Sequence, residues 1–328
     1  MALHQGKQLY HRVGVRPVRR PGHLLIMAHW LDGISLVDGH HHFWELDRFP
    51  YRWLAPDAPP ARFGDKSTIR RDYLPADHMA AFGDLPLCAS VHVQANCGAA
   101  DPVDETRWLQ HLSDSTGWPN AIIAEVDLCH PDAAAQIAGH LTCPALRGIR
   151  TPVAWDEAGR WRVASKPGVP RDPGFRRSLA VLEAMDLCLE CVVVPQQLIE
   201  IAELARDHPA LKIVINHFGT LEPAIPSNAQ QWREGIVALA SAPNVYMKLS
   251  GLWTVDKGWQ ADALKPHVLH LLSSFGAERV LYGSNLPVEG VNCPLQRQFQ
   301  QLEIVLRGQP KPVLNAIFSE TARRVYRL

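Results

Sequence analysis

Three consecutive histidines, His40, His41 and His42, follow an aspartate in the stretch VDGHHHFW (37–44). Imidazole is the side chain whose ordinary pKa lies nearest neutrality, so such a run can hold a metal, move protons or simply pack. The three cannot share one job. Along an extended strand, residues two apart face the same side. If Asp38 faces a site, His40 and His42 face it too, and His41 turns away into packing or support. Two imidazoles about 7 Å apart along a strand can grip one cation or one substrate oxygen. They can equally line a wet cavity.

Other candidate groups recur at the ends of short β-rich runs. LCASVHVQA (87–95) carries His92 and Gln94, AIIAEVDL (121–128) carries Glu125 and Asp127, and ALRGIR (145–150) carries Arg147 and Arg150. LCLECVVV (187–194) has Glu190 in mid-run, KIVINHFG (212–219) ends in Asn216 and His217, VYMKLSG (245–251) holds Lys248 and Ser250, and RVLYGSNLPV (279–288) holds Ser284 and Asn285. Apart from these groups the runs are apolar. Burying polar groups without partners is costly, so their gathering at one end of each run points to a functional mouth.

Something must hold those ends together. With ISLVDG (34–39) first, the β-rich runs alternate with helix-like segments over 104–115, 131–141, 172–185, 195–208, 228–241, 263–276 and 294–308. Several of these open on Pro or Asp, as helix starts favour. This alternation predicts a single (β/α)8 TIM barrel, with site residues at the carboxyl ends of its strands. An open doubly wound sheet would want a glycine-rich phosphate loop after the first strand, and VDGHHHFWELD is not one. The long connections over 45–75 and 155–172 are candidate lids.

The chain has 328 residues, enough for one such barrel, with 33 basic and 33 acidic side chains. That balance favours neither a nucleic-acid nor an anionic-membrane partner, and no apolar run approaches the roughly 18 residues of a spanning helix. A small-molecule substrate is the expected partner. Seven cysteines, an odd number at irregular spacing, suit a reducing, cytoplasmic setting. Cys188 and Cys191 are three apart on a strand, so they face opposite sides and read as packing. Residues 1–31 contain Lys7, Arg12, Arg16, Arg19 and Arg20 but no acid, and read as a basic, poorly ordered extension ahead of the barrel at 32–328. A transit peptide, or a stretch translated from an early start, would look similar.

VDGHHHFWELDRFPYRWL, VHVQA, LRGIR, INHFG, YMKLSG and YGSNLPVEG, in that order over residues 37–290, resemble the amidohydrolase superfamily and its lactonase branch. The resemblance implies a (β/α)8 fold and hydrolysis at a carbonyl, commonly of a cyclic ester. It implies that His40, His42 and His217 line the reacting centre and hold one zinc or other divalent metal, although several members of the branch work without metal. The superfamily's metal-bridging lysine has no match in LRGIR, so a binuclear centre is not expected. Arg150 matches an arginine that would hold a substrate carboxylate or hydroxyl. Lys248, His92, Gln94 and Trp44 complete the expected substrate contacts, with Lys248 either polarising the carbonyl or serving as a structural ion-pair partner. One departure stands out: the family usually has Asp after strand eight as general base, and this chain has Asn285. An amide cannot take the proton. Glu125 is the first replacement base, followed by His217 and His92. A non-oxidative decarboxylase of the same superfamily, and a barrel that lost its base and binds a small acid, are the alternatives. The assembly state, a homodimer included, is not set by the sequence.

Overall fold

The computed structural model describes residues 29–328, so the N-terminal extension lies almost wholly outside the described residues. The strands are β1 (Leu36–His41), β2 (Leu87–Val93), β3 (Ala121–Glu125), β4 (Leu146–Pro152), β5 (Cys188–Val192), β6 (Ile213–Ile215), β7 (Val245–Leu249) and β8 (Val280–Tyr282). They form one eight-stranded sheet in chain order with every neighbouring pair parallel. The expected TIM barrel is the fold. Its last seam closes beyond the ladder: His41 bridges Leu286, and Asn285 N–H donates to the His40 carbonyl at 2.7 Å. The closing seam therefore runs through the histidine run and the GSNLP segment.

The helices are α1 (Pro75–Phe82), α2 (Val103–Thr116), α3 (Ala133–His140), α4 (Pro173–Ala184), α5 (Leu198–Asp207), α6 (Pro226–Ala240), α7 (Leu252–Val255), α8 (Ala261–Phe275), α9 (Leu295–Leu306), α10 (Lys311–Asn315) and α11 (Thr321–Tyr326). Local chemistry starts them where expected. Pro75, Pro173 and Pro226 open three of them, and the Asp172 carboxylate accepts from Gly174 N–H and Phe175 N–H to cap α4. The sequence pattern does not announce α1, α7, α10 or α11, which are short.

Strand alternation sorts the core into two shells. Val37, Val91, Ile123, Cys188, Val214 and Leu281 pack inside the barrel, while Leu36, Ile122, Leu189, Cys191, Ile213 and Val280 pack outward against the helices. Cys188 and Cys191 do face opposite shells. Burying each such aliphatic side chain contributes about 1.5–3 kcal/mol. Ala322, Val325 and Tyr326 of α11 join the inner shell, so the last helix plugs one end of the barrel.

Candidate active site

β1 divides its histidines as two plus one, for a reason different from strict alternation. Asp38 pairs with Ser90 and His41 with His92, and the ladder is irregular between them. Asp38 faces the outer shell. It accepts from Ser284 N–H at 2.7 Å and Ser284 Oγ at 2.5 Å, and its Oδ2 lies 3.2 Å from His78 Nε2 of α1. The premise that Asp38 faces the barrel thus fails, but the irregularity restores the result. His42 reaches the mouth, while His40, on the same side with its ring centroid 5.1 Å from that of His42, is fully buried behind the His42 and His217 rings and does not itself line the cavity. His41 turns outward, hydrogen-bonds Ser90 Oγ at 2.8 Å and packs on His78.

A cavity of about 180 Å³ opens at the carboxyl ends of the strands, lined by His42, Trp53, Phe63, Gln94, Ala95, Asn96, Arg150, His217, Thr254, Asn285 and Val288. It is smaller than the pockets that take drug-sized ligands. Trp53 and Phe63 come from the 45–75 connection. The second connection meets the first above the mouth, where the Arg62 guanidinium stacks 3.4 Å over the Trp161 ring and Trp161 Nε1–H donates to Glu222.

His42 is held at both nitrogens. Its Nδ1 lies 2.7 Å from the Val93 carbonyl, which can only accept, so Nδ1 carries the proton. Burial, then the Arg150 charge, pull its pKa down to about 3, so the ring is neutral near pH 7. Nε2 is therefore a bare lone pair, and it stands 3.3 Å from Asn285 Oδ1. The amide cannot turn round to meet it. Asn285 Nδ2 donates to Glu289 Oε2 at 3.1 Å and to Thr254 Oγ1 at 3.0 Å, while the Thr254 hydroxyl donates its own hydrogen to Glu289. Glu289 also accepts from Trp253 N–H and Thr254 N–H. Burial pushes its pKa up, and these donors pull it back. Two acceptors thus face each other with no hydrogen between them.

His217 follows β6 in a left-handed backbone conformation (φ 52°), and Asn285 shares it (φ 52°). Such strain in residues other than glycine collects at functional sites. His217 Nδ1 lies 3.3 Å from Ser250 Oγ, and its ring sits 4.7 Å from that of His40. Burial first and Arg150 second hold its pKa well below the usual histidine range. Gly251 makes room for it: a Cβ there would lie 2.2 Å from His217 Nδ1. The Arg150 guanidinium reaches the cavity and makes neither an ion pair nor a hydrogen bond among the described residues.

Not every expected residue reaches the cavity. His92 faces outward between β2 and α2. Its Nδ1 accepts from Phe43 N–H at 3.0 Å, and its Nε2 lies 3.9 Å from Glu105, a carboxyl that burial raises to about 7. Lys248 is fully buried one layer below, in an ion pair with Glu190; of its two readings, the structural partner is the one seen. Trp44 stands behind the wall, its Nε1–H bonded to the Arg71 carbonyl and its ring 5.5 Å from Trp53. Glu125 projects inside the barrel beside Arg150 without lining the cavity. Burial, with Glu105 adding, raises its pKa. Glu289 and Thr254 escaped the sequence analysis. The available signal was a carboxylate four residues beyond Asn285, at the reach of one helical turn.

A closed barrel that gathers imidazoles, an amide and a buried guanidinium at its carboxyl-terminal face is built as a barrel enzyme. Residues 37–328 match the Amidohydrolase family, and the chain belongs to it. It is 30% identical over 298 residues to an uncharacterized protein, y4mH, of Sinorhizobium fredii, covering 91% of this chain and all of that one (100%). It is 32% identical over 254 residues to an L-fucono-1,5-lactonase of Burkholderia ambifaria, covering 77% of this chain and 80% of the relative. An amidohydrolase of Burkholderia multivorans solved with bound zinc superposes at a TM-score of 0.72 and 27% identity, over 89% of this chain and 99% of that one. Among the described residues, no helix is long and apolar enough to cross a membrane.

Proposed function

We propose that the protein hydrolyses a small lactone bearing a carboxylate or hydroxyl group. One observation carries the reading: the His42 Nε2 lone pair and Asn285 Oδ1 face each other 3.3 Å apart with no donor between them. A water that donates one hydrogen to each would satisfy both and present its own lone pair to a carbonyl. Geometry comes before pKa in choosing a base. His42 is therefore the base, and Asn285, locked by Glu289 and Thr254, orients the water. The water oxygen bonds to the ring carbonyl carbon, its proton passes to His42 Nε2, the ring C–O bond breaks, and the proton goes to the departing alkoxide. Arg150 holds the acid or hydroxyl of the substrate in a charge-assisted fork. The relatives named as L-fucono-1,5-lactonases support a sugar-acid lactone as the substrate class.

The mouth does not fit a resident metal. No carboxylate or thiolate among the described residues lines the cavity, and Arg150 adds positive charge to it. Among the described residues, no three His, Cys, Asp or Glu side chains are placed to hold an ion.

The test is a panel of sugar-acid and carboxylated lactones, read by acid release and by CO2. Acid without CO2, persisting after chelation, is the expected result. CO2 release would make the protein a decarboxylase, and saturable binding without turnover would make it a binding protein. Either outcome sinks the proposal.

A further inference from the structure

One layer below the cavity, Glu190 of β5 accepts four hydrogen bonds. Lys248 Nζ donates to Oε1 at 2.8 Å and to Oε2 at 2.6 Å, the Tyr326 hydroxyl donates to Oε1 at 2.6 Å, and Asn216 Nδ2 donates to Oε2 at 2.8 Å. A carboxylate has about four lone-pair sites, so no site remains for a proton and the group is an anion. Its buried partner is then an ammonium, because an unmatched buried charge is far more costly than a matched one. Two ammonium hydrogens serve Glu190. The third reaches His40 Nδ1 at 3.3 Å.

An ammonium only donates, so His40 Nδ1 must be a bare lone pair. The single proton of the ring then sits on Nε2. That nitrogen is fully buried and has no hydrogen-bond partner among the described residues, and its ring packs against both His42 and His217, the two imidazoles that line the cavity. A buried N–H without an acceptor, beside the cavity walls, is a donor waiting for an oxygen.

We propose that the Tyr326–Glu190–Lys248 network fixes His40 as its Nε2–H tautomer, making it a hydrogen-bond donor to the substrate carbonyl oxygen rather than a metal ligand. Lys248, Glu190 and Tyr326 are positioning residues that act through His40. Such a donor strengthens its bond as the carbonyl oxygen gains charge. A metal would need the Nε2 lone pair, and the ammonium at Nδ1 denies it by holding the proton on the far side of the ring. The role at the carbonyl rests on the hydrolase reading; the tautomer does not.

The first measurement is therefore made without substrate, by 15N NMR of the histidine-labelled full chain. A pyridine-type Nδ1 with a protonated Nε2 at His40 is expected. An Nδ1–H tautomer or an imidazolium overturns the proposal, whatever the lactone panel shows. The second uses the double variant Lys248→Met/Glu190→Gln, which removes both charges together. It should lose the tautomer preference, lower kcat on a turned-over lactone by about 10²–10³-fold with KM within about threefold, and bind zinc about tenfold more tightly. An unchanged tautomer and kcat in this variant overturns the proposal. Should the variant not fold, the wild-type spectrum still decides.

Discussion

The mouth of the barrel and the layer beneath it are built from the same kinds of residue but are satisfied in opposite ways. Below, every oxygen lone pair of Glu190 has a donor and every hydrogen of Lys248 has an acceptor. Above, Arg150 feels the nearby Glu190 and Glu125 carboxyls but makes neither an ion pair nor a hydrogen bond among the described residues, and the His42 and Asn285 lone pairs face each other. A buried polar group that finds its partners stabilises or orients. One that is held in place and left without them costs stability, and the natural reason for keeping it is a ligand. Exposure alone does not separate the layers, since Asn285 and Lys248 are both buried. The partners of the charged groups do, although the buried Oδ1 of Asn216 in the lower layer also lacks one among the described residues.

That contrast can be broken most forcefully at His42. His42→Gln should lower kcat by about 10²–10⁴-fold, the usual worth of a positioned acid–base group, with KM little changed in steady-state assays. A loss below tenfold would move the base elsewhere, with Glu125 next in line. The layers should also answer differently to loss of a cation. Lys248→Met leaves Glu190 buried and unpaired, and should lower the unfolding free energy in urea by about 3–5 kcal/mol. Arg150→Met breaks no hydrogen-bonded pair among the described residues and loses only its attraction to Glu190 and Glu125, so its stability should fall by clearly less than that of Lys248→Met while kcat/KM falls by about 30-fold or more. Equal destabilisation by the two variants would erase the distinction.

The buried histidines give the comparison a pH axis. His42 and His92 are both held at about 3, against an ordinary value of about 6.5. Between those values the unfolded chain binds protons that the folded chain does not, so stability rises with pH across that window. Glu105, raised from 4.5 to about 7, works the other way, losing its contribution as pH climbs through that range. Glu125 and Glu289, also raised by burial, act with Glu105, but His40, His41 and His217 are held well below the ordinary value as well, so these five histidines outnumber the three carboxyls. The melting temperature should climb from pH 3 to about 6 and then level; a profile that falls over that span would contradict the neutral, buried rings. Trp161→Leu should have the smallest effect. Loss of the Arg62 stack removes about 0.5–1 kcal/mol and should raise KM a few-fold through the loosened lids, with kcat unchanged.

Much of this was legible beforehand. All eight strands and the longer helices between them carry their own periodicity, and the polar strand ends stood out against apolar runs. The division of the histidine run was also readable, although its stated premise, an inward Asp38, was not correct, because a ladder irregularity is invisible to a period of two. His92 shows the opposite failure. On β2 it alternates as the sequence says, but only packing shows that its side of the strand meets Glu105 of α2 and not the mouth. Lys248 is on the inner face as expected, yet it is fully buried one layer below the residues that line the cavity.

The sequence by itself determined the order of elements, the apolar faces that drive them together, and the residue types delivered to one end of the barrel. These are local properties, set by side-chain period and by turn and cap chemistry. The tertiary structure alone decided which polar groups are satisfied. Glu190, Lys248, Tyr326 and His40 belong to β5, β7, α11 and β1, and Asn285 meets His42 only where the last seam of the barrel closes on the first strand. Hydrogen bonding is short-ranged and directional, so partnership between such distant positions exists only once the chain has closed.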